Sequence, residues 1–306
     1  MAYPTPAVTT TTAATFIPEI WSDEVVAAYK KHLVAANVFK KMSFKGKKGD
    51  TINIPKPTRG AASVKAASTA VTLIAATETN IPVLINKHYE YSRFIEDIVE
   101  VQALSSLRRF YTDDAGYALA KQVDTDLVQL GRGFNAGDAT SAYDKGYIGS
   151  NGTTLYDDST NNEAALTDAA IRRTIQRLDD NDVPTDGRFF MVPPSARNTL
   201  MGLDRYTAMD FVGETGNANT IRNGQIGNLY GMPVYVSSNC DTTGGSGVAR
   251  VALMGHKDAA VLVEQMSVRS QTQYKQDHLS TLYTSDTIYG VKELRDDAAF
   301  ALVVPA

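Results

Sequence analysis

The sequence predicts an α+β protein, and three patterns carry that prediction. From Phe94 to Leu130, apolar residues fall at Phe94, Ile98, Val101, Leu104, Leu107, Tyr111, Ala115, Leu119, Val123, Leu127 and Leu130, ten steps over 36 residues. That spacing of 3.6 is the period of one helix face. Between Ile81 and Tyr91 the period drops to two: Ile81, Val83, Ile85, Tyr89 and Tyr91 share one face, and Pro82, Asn86, His88 and Glu90 the other, as in a strand. From Val248 onward strand-like segments dominate, and Ala298–Val304 is apolar enough for a central strand. Their order predicts one domain interrupted by a second, with the C-terminal strands returning to the first.

The 306 residues are enough for about two compact domains. A hydrophobic content of 43% and a charged content of 21% are those of an ordinary soluble fold. The net charge of −4 argues against a protein that coats nucleic acid. Cys240 stands alone, which excludes intrachain disulfides and multi-cysteine zinc sites. No apolar run reaches the roughly 20 residues that span a bilayer. Met1–Ala14 has neither the basic start nor the apolar centre of a targeting peptide, so the expected compartment is a cytoplasm.

Taken in order, the first 18 residues are uncharged and rich in Thr, Ala and Pro, and read as an extended arm. Ser22 caps a predicted helix whose stripe is Trp21, Val25, Val26, Tyr29, Leu33 and Ala36. Asp50–Pro55 and Ile81–Tyr91 follow as strands. Between them, Arg59–Thr79 is mostly Ala, Ser, Thr and Val. A structureless turn of that length is anomalous inside a compact domain, so the segment predicts a long hairpin leaving its own subunit. The long helix comes next. On its polar face are Glu96, Glu100, Arg108, Arg109, Asp113, Asp114, Lys121, Asp124 and Asp126; Gly116 is a point where it can bend, and Gly131 and Gly133 end it. Asn135–Asn162 reads as an irregular connection. A second body follows: a helix over Thr167–Leu178, a polar turn at Asp179–Arg188, a buried strand at Phe189–Val192, a helix from Pro193–Ser195 toward Leu203 with Ser195 as its cap, a loop over Asp204–Asn223, a strand at Val234–Val236 and a flexible turn at Asp241–Gly247.

No constellation of residues calls for a substrate or cofactor. His32, His88, His256 and His278 are scattered without metal-ligand spacing. Ser195 lies in PPSAR, which lacks a nucleophile elbow. Gly131, Gly133 and Gly137 have the wrong spacing for a phosphate loop and follow a helix rather than a strand. Asp180, Asp182 and Asp186 fit a solvated turn better than a calcium loop.

Charge is patterned instead. Lys30, Lys31, Lys40, Lys41, Lys45, Lys47, Lys48, Lys56 and Arg59 make nine basic residues against the single acid Asp50, while Glu90–Asp126 holds eight acids against four bases. Such patches pair between subunits or bind nucleic acid. The absence of interleaved aromatics and the overall acidity favour the first reading, with Lys45, Lys47, Lys48, Lys56, Arg59 and Lys65 on one side and Asp113 and Asp114 on the other as candidate contacts; a merely solvated face is the bland alternative.

The succession of arm, helix, two-stranded loop, spine helix, inserted domain and returning strands resembles the major capsid protein of tailed bacteriophages, with its Hong Kong 97-like fold. TFIPEIWSDEVVAAYKKHLVAANVF at 15–39 is similar to that family's N-terminal helix, and KKGDTINIPKP at 47–57 to the base of its extended loop. VPTDGRFFMVPPSARNTLM at 183–201, GQIGNLYGMPVYVSSN at 224–239 and the ending from Tyr289 to Val304 resemble its later parts. The resemblance implies an N-terminal arm and helix at 1–43, an extended loop at 44–92, a peripheral domain at 93–162 and 255–306, and an axial domain at 163–254. It implies pentamers and hexamers closing into an icosahedral shell around double-stranded DNA, assembled in a bacterial cytoplasm, without cofactor or membrane. Implied partners are a portal, in some relatives a cement protein, and a separate scaffolding protein, since only about 20 residues precede the first helix. Lys56 and Lys65 are loop lysines of the kind some relatives cross-link, but no partner is identifiable and none is assigned. An encapsulin-type cellular compartment shares the fold, and an enzyme of unknown class is the remaining alternative.

Overall fold

The computed structural model describes residues 33–57, 60–71, 73, 78–97, 106–137, 143–203, 227–243 and 249–306. The arm, most of the helix expected from Ser22, Arg59 and the Asp204–Asn223 loop lie outside the described residues. A short helix, α1 (Ala35–Val38), leads into β1 (Lys40–Ser43), and β2 (Thr51–Pro57) and β3 (Glu78–Leu84) form a two-stranded ribbon. Then come β4 (Lys87–Glu96), the spine helix α2 (Ser106–Gln129), a 3-10 turn at Leu130–Ala136 and β5 (Tyr147–Ile148). Next come α3 (Asp168–Asp180), β6 (Arg188–Val192), α4 (Pro194–Met201), β7 (Asn228–Leu229), β8 (Met232–Val236) and β9 (Thr242–Thr243). The chain closes through β10 (Ala249–His256), β11 (Ala260–Lys275), β12 (Ser280–Glu293) and β13 (Ala299–Pro305).

Two sheets organise these elements. In the larger, of seven strands, the path β5-β13-β10-β6-β8-β7 carries β9 alongside β10. The apolar run at the C-terminus becomes a central strand: β13 lies antiparallel to β10 and parallel to β5, and Ala299–Val304 are all buried. Phe39 meets Phe189 edge-on, with ring centroids 5.1 Å apart, tying the segment before β1 to this core. Helix α3 begins where expected: the Thr167 hydroxyl accepts the Ala170 N–H at 3.3 Å, and Ile171 and Leu178 point into the core. The smaller sheet has the order β1-β11-β12-β4, with β11 and β12 forming a long antiparallel ribbon whose register shifts near Met266.

Several expectations are corrected. Strand β4 runs on to Glu96, pairing with Ser280, so Phe94 belongs to the sheet and is exposed; the spine helix α2 is described from Ser106. A continuous partner strand outweighs the helical spacing of Phe94. The strand expected at Ile81–Tyr91 is two strands, divided at Ile85–Asn86, because its halves pair with different partners, β2 and β12. Asp124 and Asp126, placed on the polar face, are buried because the chain brings them donors, described below. Ser195 lies within the first turn of α4, whose N-cap is Pro193, so it caps nothing; Pro194 occupies the opening position, where a missing N–H costs little. Part of the expected turn at Asp241 is strand β9.

Candidate assembly surfaces

The ribbon is fixed firmly at its root. Gly46 and Gly49 have φ of +77° and +135°, which let the chain reverse between β1 and β2. The reversal is held by N–H of Phe44 donating to the Glu264 carbonyl at 2.8 Å, and by the Gln265 amide donating to the carbonyls of Lys47 (3.2 Å) and Gly49 (3.1 Å). Val83, Ile85, Val261 and Val263 form a small buried cluster beneath it, flanked by Met42, Phe44, Ile52, Ile54, Ile288 and Leu294. At Gly290 of β12 a Cβ would stand 2.3 Å from the Leu84 carbonyl oxygen, so only glycine lets the ribbon cross the sheet this closely.

Beyond the root the loop loses its cover. The ladder covers Thr51–Pro57 against Glu78–Leu84, shorter than the expected long hairpin. The described residues of 60–73 are all exposed, Val64 at 99% and Leu73 at 89%. A turn closes where Thr69 N–H and hydroxyl both donate to the Ala66 carbonyl, at 3.4 and 2.8 Å. A two-stranded ribbon is marginal in water by itself, and apolar side chains this exposed gain stability only by meeting another surface.

The candidate contact residues distribute as follows. Lys45 pairs with Glu264 of its own chain at 3.7 Å, and Lys47 lies over the Phe44 ring, 5.6 Å from its centroid. Lys48 makes no ion pair among the described residues, and Lys56 and Lys65 are exposed along the loop. Asp114 accepts a hydrogen bond from the Tyr91 hydroxyl at 3.1 Å, binding the spine helix to β4; burial, with this carboxylate, raises the Tyr91 pKa. Asp113 is exposed on the same helix. Lys45, Lys47 and Lys48 therefore sit at the ribbon root, Lys56 and Lys65 farther out along the loop, and the aspartates on the spine.

Three polar clusters escaped the sequence reading. Asp124 Oδ1 accepts the N–H groups of Val34 (3.0 Å) and Ala35 (2.7 Å), and its Oδ2 accepts from Asn239 Nδ2 at 2.9 Å. Burial, with the Asp124 charge, pushes the neighbouring Cys240 thiol up to about 12. Two residues along the same helix, Asp126 accepts from Tyr289 at 2.6 Å and pairs with Lys87 at 3.0 Å, and burial together with this carboxylate raises the Tyr289 pKa far above its ordinary value. On the opposite face of the smaller sheet, Arg269 grips Asp286 through two bonds of 3.2 and 2.9 Å, with His88 at 3.2 Å. The Arg269 bonds hold the Asp286 carboxyl below the usual carboxylate range. The burial of Asp124 and Asp126 cannot be foreseen from local pattern, because their donors Ala35, Asn239 and Tyr289 lie 89, 115 and 163 residues away.

Residues 94–303 match a family model described as phage capsid protein. The chain belongs to the phage capsid protein family. Its fold is Hong Kong 97-like, as the solved structures it resembles bear out. A chain of Mycobacterium phage Che8 is 25% identical with a TM-score of 0.73, covering 94% of this chain and 97% of that one. The capsid structure of cyanophage P-SCSP1u is 18% identical with a TM-score of 0.73, covering 96% and 94%. The mature capsid of bacteriophage PhiM1 is 14% identical with a TM-score of 0.70, covering 94% and 92%. A search of curated proteins finds no match. Within this phage capsid family the ribbon, the spine helix and the two sheets are parts of a shell subunit.

Proposed function

We propose that this capsid protein is a structural, non-catalytic subunit that assembles with copies of itself into pentamers and hexamers of an icosahedral shell enclosing double-stranded DNA. The observation that carries the reading is the ribbon: rigidly rooted over Gly290, yet exposing Val64 and Leu73 beyond any cover its own described residues supply. A loop so built needs a neighbour. In this reading residues 1–43 form the N-terminal arm, 44–92 the extended loop, 93–162 with 255–306 the peripheral domain, and 163–254 the axial domain. Lys45, Lys47, Lys48, Lys56, Arg59 and Lys65 face acids of an adjacent subunit, Asp113 and Asp114 among them. A separate scaffolding protein and a portal, joined in some relatives by a cement protein, complete the set of partners. The DNA is held without sequence-specific contacts, and assembly takes place in the bacterial host cytoplasm.

The deciding experiment is production of the chain alone and with its scaffold, followed by sedimentation and negative-stain microscopy. Closed particles or rings are expected. A monodisperse monomer under both conditions at high concentration would overturn the proposal.

A further inference from the structure

The hairpin contains three prolines, Pro55, Pro57 and Pro82, and the ladder shows what they share. Ile85 N–H donates to the Asp50 carbonyl at 2.7 Å, so residues 50 and 85 face each other as a hydrogen-bonded pair. Bonded and non-bonded pairs alternate along antiparallel strands. The register Thr51↔Leu84 through Pro57↔Glu78 then assigns the ladder bonds to 52/83, 54/81 and 56/79. Residues of the other pairs, 51/84, 53/82, 55/80 and 57/78, turn their backbone groups outward to the two edges of the ribbon. All three prolines fall in this second set. None interrupts the ladder, and each deletes an N–H from an edge.

The two edges are thereby closed to different degrees. Along β2, positions 55 and 57 offer no donor, leaving only Thr51 and Asn53 near the root. Along β3, donors at Glu78, Asn80 and Leu84 are interrupted at Pro82. An incoming strand needs a run of alternating donors and acceptors, and neither edge supplies one. The side chains of these pairs meanwhile share one exposed face, where Asn53, Pro55, Pro57, Glu78 and Asn80 line an open groove of about 410 Å³ and Asn80 Nδ2 donates to Asn53 Oδ1 at 3.0 Å.

We infer that the ribbon engages a second copy of this chain through side chains on its faces, and that Pro55, Pro57 and Pro82 close its edges to β-addition. The inference rests on the assembly reading above. Its physical logic is that of edge protection: an exposed two-stranded ribbon is a template for pairing with its own kind, and a shell subunit is produced at high local concentration before its ribbon finds its place. Without edge prolines, ribbon-to-ribbon pairing competes with docking.

Two full-length variants test it. Replacing all three prolines by threonine (P55T/P57T/P82T) restores three outward donors and adds β-favouring residues. Subunits of this variant should give at least about a tenfold rise in thioflavin T signal and in pelletable fibrillar material over the parent. Thr51→Pro removes an outward N–H at a position outside the groove and should leave particle yield unchanged, whereas Ile54→Pro removes a ladder bond and should unfold the ribbon. No rise for the triple variant, or loss of assembly by a folded Thr51→Pro subunit, would overturn the inference, the latter by showing that a neighbour uses this edge. If the parent itself formed no particles, the assembly reading would fail, while the thioflavin comparison on subunits would still judge the role of the prolines.

Discussion

Replacing Asp124 by alanine should cost the unassembled subunit about 3–5 kcal/mol. Its carboxylate is fully buried and accepts from Val34 N–H, Ala35 N–H and Asn239 Nδ2 at 3.0, 2.7 and 2.9 Å. Each buried donor left without an acceptor costs about 1–3 kcal/mol, so three amount to about 3–9 kcal/mol. Relief from burying a charge offsets several kcal/mol of that sum, which brings the net to the stated range. Asp124→Asn is a gentler change, because one oxygen still serves Val34 and Ala35. Asn239 can then turn its amide to accept from the new side chain, for a cost of about 1–2 kcal/mol. The assay is urea unfolding of both variants at constant m-value, with hydrogen exchange at the Val34 and Ala35 amides. Those amides should lose protection in the alanine variant and keep most of it in the asparagine variant. A loss below about 1 kcal/mol for Asp124→Ala, or equal losses for the two variants, would refute the claim that this carboxylate anchors the segment entering α1.

Three further outcomes are expected. Deleting residues 60–77 and bridging β2 to β3 with a short glycine-containing turn should leave subunit circular dichroism near the parent's but abolish heat-resistant particles; equally resistant particles would show that the loop is not an assembly arm. Reversing Lys45, Lys47 and Lys48 to glutamate should block assembly of empty shells with little effect on subunit melting, since each exposed pair contributes only about 0.2–1 kcal/mol but recurs at every interface. Reversing Asp113 and Asp114 to lysine in the same chain should partly restore particle yield, and assembly that is normal but deficient in DNA retention would favour nucleic-acid binding instead. Because Arg269 lowers the Asp286 pKa from its ordinary 3.8, the stabilisation from this cluster is present above that pH and is lost as pH falls through the folded-state value. Arg269→Ala should therefore raise the Asp286 titration midpoint seen by carbon-13 NMR, and an unmoved midpoint would remove Arg269 as the cause.

Elements whose signal is local were legible in the sequence. The continuous apolar run at the C-terminus identified a central strand, and the stripe from Tyr111 to Leu127 identified the buried face of the spine. Thr167 marked the start of α3. What stayed hidden depends on partners distant in sequence. Phe94 satisfies helical spacing with Ile98 and breaks the strand alternation of Tyr89, Tyr91 and Ile95, and only pairing with Leu282 on β12 places it in the sheet. The burial of Asp124 needs Val34, Ala35 and Asn239, and that of Asp126 needs Lys87 and Tyr289. For the assembly surface, the basic cluster was visible by composition, but the ion pair of Lys45 with its own Glu264 was not. The outward placement of the prolines required the ladder's register.

The position of β13 sets a clock on synthesis. Its central place between β5 and β10, with Leu302 opposite Tyr147 and Val251 opposite Val303, means that the larger sheet cannot close until residue 305 has been made. The smaller sheet waits almost as long, since Lys40 of β1 finds its parallel partner only at Val261. At about 5–20 residues per second, the early strands spend roughly 10–60 s without their final neighbours. A ribosome-bound chain shorter than this therefore lacks the finished larger sheet. Strand order alone thus makes completion of the larger sheet the last event of synthesis for every growing chain on one message.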